Sequence, residues 1–212
     1  MARRLVVFFS SLWLAACSVV GDRSGTEEPR YTVIGQVGAV EIREYAPRLA
    51  AEVTMEGEEE AARSAGFRSL AAYIFGKNAG NQSVAMTAPV TQEAAGSLIA
   101  MTAPVAAQPT GQGQWTIRFF MPNEYTSQTL PAPTDPTIRI VTVPAETMAV
   151  RRFSGSRSAV AVARERTELM TGLASSVWTV VGPSVDWFYD PPWTLAMLRR
   201  NEVAAPVKRT AP

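Results

Sequence analysis

The chain contains no histidine and a single cysteine, Cys17. Those two counts exclude most ways a protein activates a nucleophile or moves a proton near neutral pH. A Ser-His-Asp triad, a Cys-His dyad and a histidine general base all need an imidazole. Zinc sites built on His fall with them, and a lone Cys cannot replace the missing ligands. Oxygen-only metal sites need carboxylates grouped in a loop, and no acidic stretch has calcium-binding spacing. No Gly-rich phosphate-cradling motif is present. Catalysis would rest on Glu, Asp, Tyr or Arg, yet acids such as Glu41, Glu124 and Glu146 are scattered as on a solvated surface. The basic residues are nearly all Arg, with Lys only at Lys77 and Lys208. They form no Lys/Arg-rich block, so a nucleic-acid partner is unsupported.

Cys17 has a distinct chemistry. Arg3 and Arg4 make a short basic start, and the run from Leu5 to Ala16 carries no charge and is mostly apolar. That is a secretory signal whose apolar stretch is too short to span a bilayer. It ends in Leu14-Ala15-Ala16-Cys17, a bacterial lipobox, so residues 1–16 are expected to be a signal peptide and Cys17 the lipidated first residue of the mature protein. Such a protein is held to a membrane by acyl chains. It has no disulfide, because Cys17 has no partner. The expected location is the cell envelope, facing the periplasm, and the outer membrane if the source is Gram-negative, since Ser18 follows the Cys. Losing Arg3 and Arg4 takes the formal net charge from +1 to about −1. Residues 17–30 read as the lipidated Cys and a flexible tether, and 31–212 as one folded domain.

The elements of that domain follow from periodicity. Val40 and Ile42 alternate with charged neighbours in 38–46, and Leu49, Ala51, Val53 and Met55 alternate with Ala50, Glu52, Thr54 and Glu56 in 48–56. Each pattern predicts a strand with one face on a core and one in water, with Pro47 between them. A helix is predicted from about Glu58 to Phe75, opened by three Glu near the positive end of its dipole. Phe67, Leu70, Ala71 and Ile74 form its apolar stripe, and Gly76 its stop. Ala85-Met86-Thr87-Ala88-Pro89-Val90 recurs as Ala100-Met101-Thr102-Ala103-Pro104-Val105, which predicts a hairpin turning near Gly96. A strand over Trp115–Met121 precedes a Pro- and Thr-rich connection over 126–137. The second half repeats the plan: strands near 137–143 and 146–153, a helix over about 158–175 with Val162, Leu169, Met170 and Leu173 inward, and strands near 185–190 and 201–208. Two strand–strand–helix–strand–strand halves predict an α+β domain whose curved sheet has about eight strands, with both helices packed on it.

Four stretches, in order, resemble the SOUL haem-binding family from about Tyr31 to Lys208. They are the first helix with Phe67, Leu70, Tyr73, Ile74, Gly76 and Asn78; the Met-Thr-Ala-Pro-Val elements; Phe119-Phe120-Met121-Pro122-Asn123-Glu124-Tyr125 followed by Leu130-Pro131; and Tyr189-Asp190-Pro191-Pro192-Trp193 followed by Arg199-Arg200-Asn201-Glu202-Val203. The resemblance implies a distorted β-barrel of two similar halves with two helices. It also implies a shallow apolar haem site between the first helix and the loop after Tyr-Asp-Pro-Pro. Carried over by position, the candidate contacts are Arg63, Phe67 and Leu70 on the helix, and Trp193, Leu195, Met197, Arg199 and Arg200 on the loop. Apolar side chains would take the porphyrin face from water at ~25 cal/mol per Å² buried, and Arg would pair with the anionic propionates. Asn201, Glu202 and the Met-Thr-Ala-Pro-Val hairpin read as structural.

One departure from the family matters: some members ligate iron through a His, and this chain has none. The expected cofactor is therefore non-covalent haem with weakly ligated or unligated iron. Met and Tyr serve as axial ligands elsewhere, but Met86 and Met101 are expected to be buried. No Cys-x-x-Cys-His motif is present for covalent attachment. The function implied is binding of haem or a related tetrapyrrole for buffering or transfer at the envelope, without catalysis. The alternatives are a hydrolase or effector-binding domain of the gyrase-inhibitor-like type, for which a buried Glu beside a Tyr in a closed pocket would speak, and an envelope interaction module with no ligand.

Overall fold

The structure is a computed structural model that describes residues 26–80, 82–94, 113–191 and 193–210. Cys17, the lipobox, Met101 and the second Met-Thr-Ala-Pro-Val copy lie outside the described residues, so the hairpin expected between the two copies does too. Among the described residues no helix is long and apolar enough to cross a membrane.

The chain forms an α+β domain: one curled, open antiparallel sheet with two helices on it. The strands are β1 (Tyr31–Val37), β2 (Val40–Tyr45), β3 (Arg48–Glu56), β4 (Val90–Ala94), β5 (Gln114–Phe120), β6 (Arg139–Val143), β7 (Glu146–Phe153), β8 (Trp178–Val180), β9 (Val185–Phe188) and β10 (Asn201–Arg209). The helices are α1 (Glu59–Ile74) and α2 (Ala159–Leu173), with a short 3-10 turn at Ala196–Leu198. The strand order is β1-β2-β7-β10-β9-β4-β5-β3-β6, with β8 paired to the far end of β10.

That order encodes the two-half plan. Each half contributes three of its strands side by side, β4-β5-β3 and β9-β10-β7, which meet at the β4–β9 pair. Each half's opening strand crosses to the other half: β2 pairs with β7 and β6 with β3. The exchange ties the halves into one sheet that neither could complete alone. The ten strands exceed the expected eight because β1 and β8 extend the edges.

Both helices lie on one face. Ala62, Gly66, Leu70, Tyr73 and Ile74 of α1 are buried against Ala51, Val53, Ile117 and Phe119. Gly66 is there because nothing larger fits: a Cβ would stand 2.7 Å from Ile117 Cγ1. Gly76 stops α1 at φ +111°, a left-handed conformation that glycine adopts freely. On α2, Val162, Glu165, Leu169 and Leu173 turn inward. Met170, expected inside, is exposed; it lies one position past Leu169 and so about 100° round the helix, while Glu165 takes an inward place paired to Arg151 and Arg164. Ser158 caps α2 by accepting a hydrogen bond from the Ala161 N–H.

The opposite face is not the solvated one that alternation predicts. Arg43, Tyr45, Arg48, Ala50, Glu52, Trp187, Tyr189 and Glu202 are all buried. A curled sheet encloses that face, so alternation here separates two interiors instead of an inside from an outside.

Candidate functional site

Between β9 and β10 the chain makes a loop whose neck is fixed by hydrogen bonds from Tyr189 N–H to the Arg200 carbonyl and from Arg200 N–H to Asp190 Oδ2. Beyond the neck Thr194 is buried. Trp193, Leu195, Met197 and Leu198 project outward, with 62, 50, 77 and 42% of their surface exposed. Four large apolar side chains on one short loop make a crest, where scattered apolar residues would need no explanation.

Beside the crest three arginines gather. Phe188, the last residue of β9, lies under two guanidinium groups, with Arg63 of α1 4.7 Å and Arg157 5.7 Å from its ring centre. Arg63 donates to Gln92 Oε1 and to the Arg157 carbonyl, both at 3.1 Å. Arg157 in turn donates to the Asp190 carbonyl at 2.9 Å. The Gly155 N–H donates to the Ala196 carbonyl at 2.8 Å, so the turn before α2 packs directly on the 3-10 turn of the crest. Arg199 completes the set, with Nε donating to the Thr194 carbonyl at 2.8 Å.

Neither Arg63 nor Arg157 forms an ion pair among the described residues. Burial, then the charges of Arg199 and Arg63, push the Arg157 guanidinium down to about 10. Burial also lowers Arg63, and the carboxylates of Glu59, Glu60 and Asp186 offset this only in part. Arg63 and Arg157 thus donate only to neutral oxygens, and an anionic ligand at this edge would complement them. Asn201, opposite Phe188 in the β9–β10 register, is fully buried, with no hydrogen-bond partner for its side-chain amide among the described residues.

The structure divides the residues expected at the site into three groups. Arg63, Arg199, Trp193, Leu195 and Met197 come together around the crest. Leu70 is fully buried in the core and Phe67 packs edge-on against Phe119 at 5.4 Å, so these two serve the α1–sheet interface. Arg200 is turned to the sheet's other face, bound to Glu28 and Glu202 at 2.9 and 3.0 Å and stacked on Tyr189. Arg157 and Leu198 were not expected. A lone Arg in the small-residue turn Ser154-Gly155-Ser156 was the only signal for Arg157. Met86, expected inside, is exposed.

The other face holds the pair that would speak for a hydrolase. The Tyr189 hydroxyl donates to Glu202 Oε2 at 2.7 Å, both buried. Burial pushes the Glu202 carboxyl up, but hydrogen bonds and charge from Arg43, then Arg200 and Tyr189, outweigh it and hold the group below its ordinary value. Arg43 binds both carboxylate oxygens, at 2.9 and 3.2 Å. A carboxylate so occupied is a structural hub with no lone pair turned toward a substrate.

The model of the family described as SOUL heme-binding protein matches residues 26–206. No curated protein matches the chain. Among solved structures, the EcmrR C-terminal domain is similar at TM-score 0.59 and 11% identity, over 85% of this chain and 99% of that one. An uncharacterized conserved protein from Listeria innocua is similar at TM-score 0.52 and 10% identity, over 87% and 94%. A hydrolase from the same organism is similar at TM-score 0.52 and 10% identity, over 82% and 94%. At such identities these likenesses concern the fold.

Proposed function

The chain belongs to the SOUL heme-binding protein family, and from that premise we propose that the crest and its arginines are where it binds haem or a related tetrapyrrole. The family is a heme-binding one, not a catalytic one. The observation that carries the assignment of the site is the pairing of an exposed apolar crest with Arg63 and Arg157, which form no ion pair among the described residues and donate only to neutral oxygens, and with Arg199 beside them. Trp193, Leu195, Met197 and Leu198 offer apolar surface to a porphyrin face at ~25 cal/mol per Å² covered. The guanidinium groups offer planar donor pairs to its propionates. With no imidazole in the chain, the protein holds the tetrapyrrole by its face and its acids, with iron weakly ligated or unligated. Such a site suits buffering or transfer better than permanent retention.

The location we propose is the periplasmic face of the cell envelope, with Cys17 lipidated after removal of residues 1–16. The experiment for the site is a haemin titration of the mature protein followed at the Soret band. A saturable change that Trp193→Ala and Arg199→Ala each weaken is the expected result. A change that is absent, or that both variants leave untouched, would refute the assignment.

A further inference from the structure

The crest is a built projection that keeps its apolar tips in water. Inside the loop the Thr194 N–H donates to the Pro191 carbonyl at 3.2 Å and the Leu198 N–H to the Leu195 carbonyl at 2.9 Å. The 3-10 turn is braced by Gly155, and the neck is closed by Tyr189, Asp190 and Arg200. Even so, Trp193, Leu195 and Met197 are half or more exposed. A fixed loop with an indole, a leucine and a methionine at its tip has the composition of a segment that enters a lipid interface.

The charge around it has one sign. Loop residues 191–200 and the turn 154–158 contain Arg157, Arg199 and Arg200 and no acid. Arg152, at the end of β7 that leads into that turn, is exposed. Arg200 is spent on Glu28 and Glu202, which leaves Arg152, Arg157 and Arg199 as the cations around the crest. Glu60, the exposed acid at the start of α1, accepts from the Ala159 N–H at 3.1 Å. Apolar tips ringed by arginine complement a surface that is apolar within and anionic at its face.

We propose that the crest docks on an anionic lipid bilayer, with Trp193, Leu195 and Met197 entering the headgroup layer and the arginines meeting lipid phosphates. The course of the chain supports a bilayer as the occupant. Glu28 is paired with Arg200, at the neck of the crest loop, so the N-terminal segment joins the domain beside this loop. Nine residues separate Cys17 from Thr26 and span at most about 30 Å. A membrane that holds Cys17 by acyl chains is therefore within reach of the crest. The docking goes beyond the haem assignment and does not rest on it. Where both hold, the crest meets the tetrapyrrole at the depth where an amphipathic, acidic ring lies.

The test uses the mature protein, free of haem, and vesicles of equal parts phosphatidylcholine and phosphatidylglycerol with brominated acyl chains, a contact quencher of indole. Wild-type emission should be quenched, and Trp193→Phe should lose at least half of the quenched part. Trp178→Phe should retain nearly all of it, because Trp178 lies opposite Arg209 at the far end of β10. Leu195→Asp combined with Met197→Asp, both at exposed positions, should abolish the Trp193 part. Vesicles of phosphatidylcholine alone should quench at least twofold less. An unquenched Trp193 would overturn the proposal and leave the crest to a soluble ligand or a protein partner. Quenching of Trp178 as strong as that of Trp193, or equal quenching in the two kinds of vesicle, would overturn it as well. A haemin titration without vesicles reads the haem assignment separately. Haemin binding with Trp193 unquenched sinks the docking alone, and quenching without haemin binding sinks the haem site alone.

Discussion

Arg157 decides much at the scale of single residues. Its guanidinium lies beside Arg63 and within the field of Arg199, so Arg157→Ala removes positive charge from the middle of the cluster. Haemin affinity should fall about tenfold, the worth of one charge-assisted hydrogen bond, read at the Soret band. Glu202 decides stability. With Arg43 and Arg200 both directed at it, Glu202→Gln leaves buried positive charge unbalanced and should cost about 3–5 kcal/mol in urea unfolding. The same hub sets acid sensitivity. Glu202 and Glu165 are both held below the ordinary carboxylate value of 4.5, so the folded protein takes up these protons less readily than the unfolded chain. Their stabilisation is fully present above about pH 5 and drains as the pH falls through the lower folded values. Unfolding free energy measured from pH 7 to pH 3 should decline in that window, and a flat profile would contradict the hub. Sequence alone identified Arg63, Arg199, Trp193, Leu195 and Met197 as a set by resemblance. It could not identify Arg157, because a loop arginine has no periodicity and its partners come from α1 and from the far side of the β9–β10 loop. It placed Phe67 and Leu70 on the apolar stripe of α1, and the stripe serves the core.

At the scale of elements, α1 lies close on β5 where Gly66 meets Ile117. Gly66→Ala gains up to about 1 kcal/mol of helix propensity, yet its methyl would meet Ile117 at 2.7 Å. Overpacking of that kind costs about 1–3 kcal/mol, so a lower Tm is expected despite the better helix former. An unchanged or higher Tm would mean that α1 does not sit so near the sheet. Both helices and the strands other than β1 and β8 were legible from alternation and 3.6-residue spacing because each has one face on the helix side of the sheet, whereas β1 and β8 are little-buried edge strands. Periodicity cannot show what the other face meets. Arg43 and Glu52 read as solvated polar positions, and they are buried because strands distant in sequence curl to enclose them. The exchange of β2 and β6 between halves was hidden for the same reason: pairing partners are set by topology, which a local repeat does not encode.

At the scale of the whole molecule, the segment Glu27–Pro29 extends the folded domain toward the N-terminus. Residues 26–30 were expected to belong to a flexible tether, yet Glu27 and Glu28 are bound to Asn123 and Arg200. If Cys17 is lipidated as proposed, only the short stretch from Ser18 to Gly25 separates the acyl chains from the docked chain, so the domain rides close to the bilayer. Expression of the full chain in a bacterial host should give a membrane-bound protein that takes up a palmitate label, and Cys17→Ser should abolish the label and release the protein. Labelling that survives Cys17→Ser would refute the anchor while leaving the domain's binding chemistry intact. The central claim concerns where the tetrapyrrole sits, and hydrogen exchange followed by mass spectrometry tests it most directly. Saturating haemin should slow exchange in the 155–158 turn, in the first turns of α1 and across 193–199, with the Glu27–Pro29 segment and β2 unchanged. Protection confined to the Glu27–Pro29 segment and β2, or no protection anywhere under saturating haemin, would contradict the account.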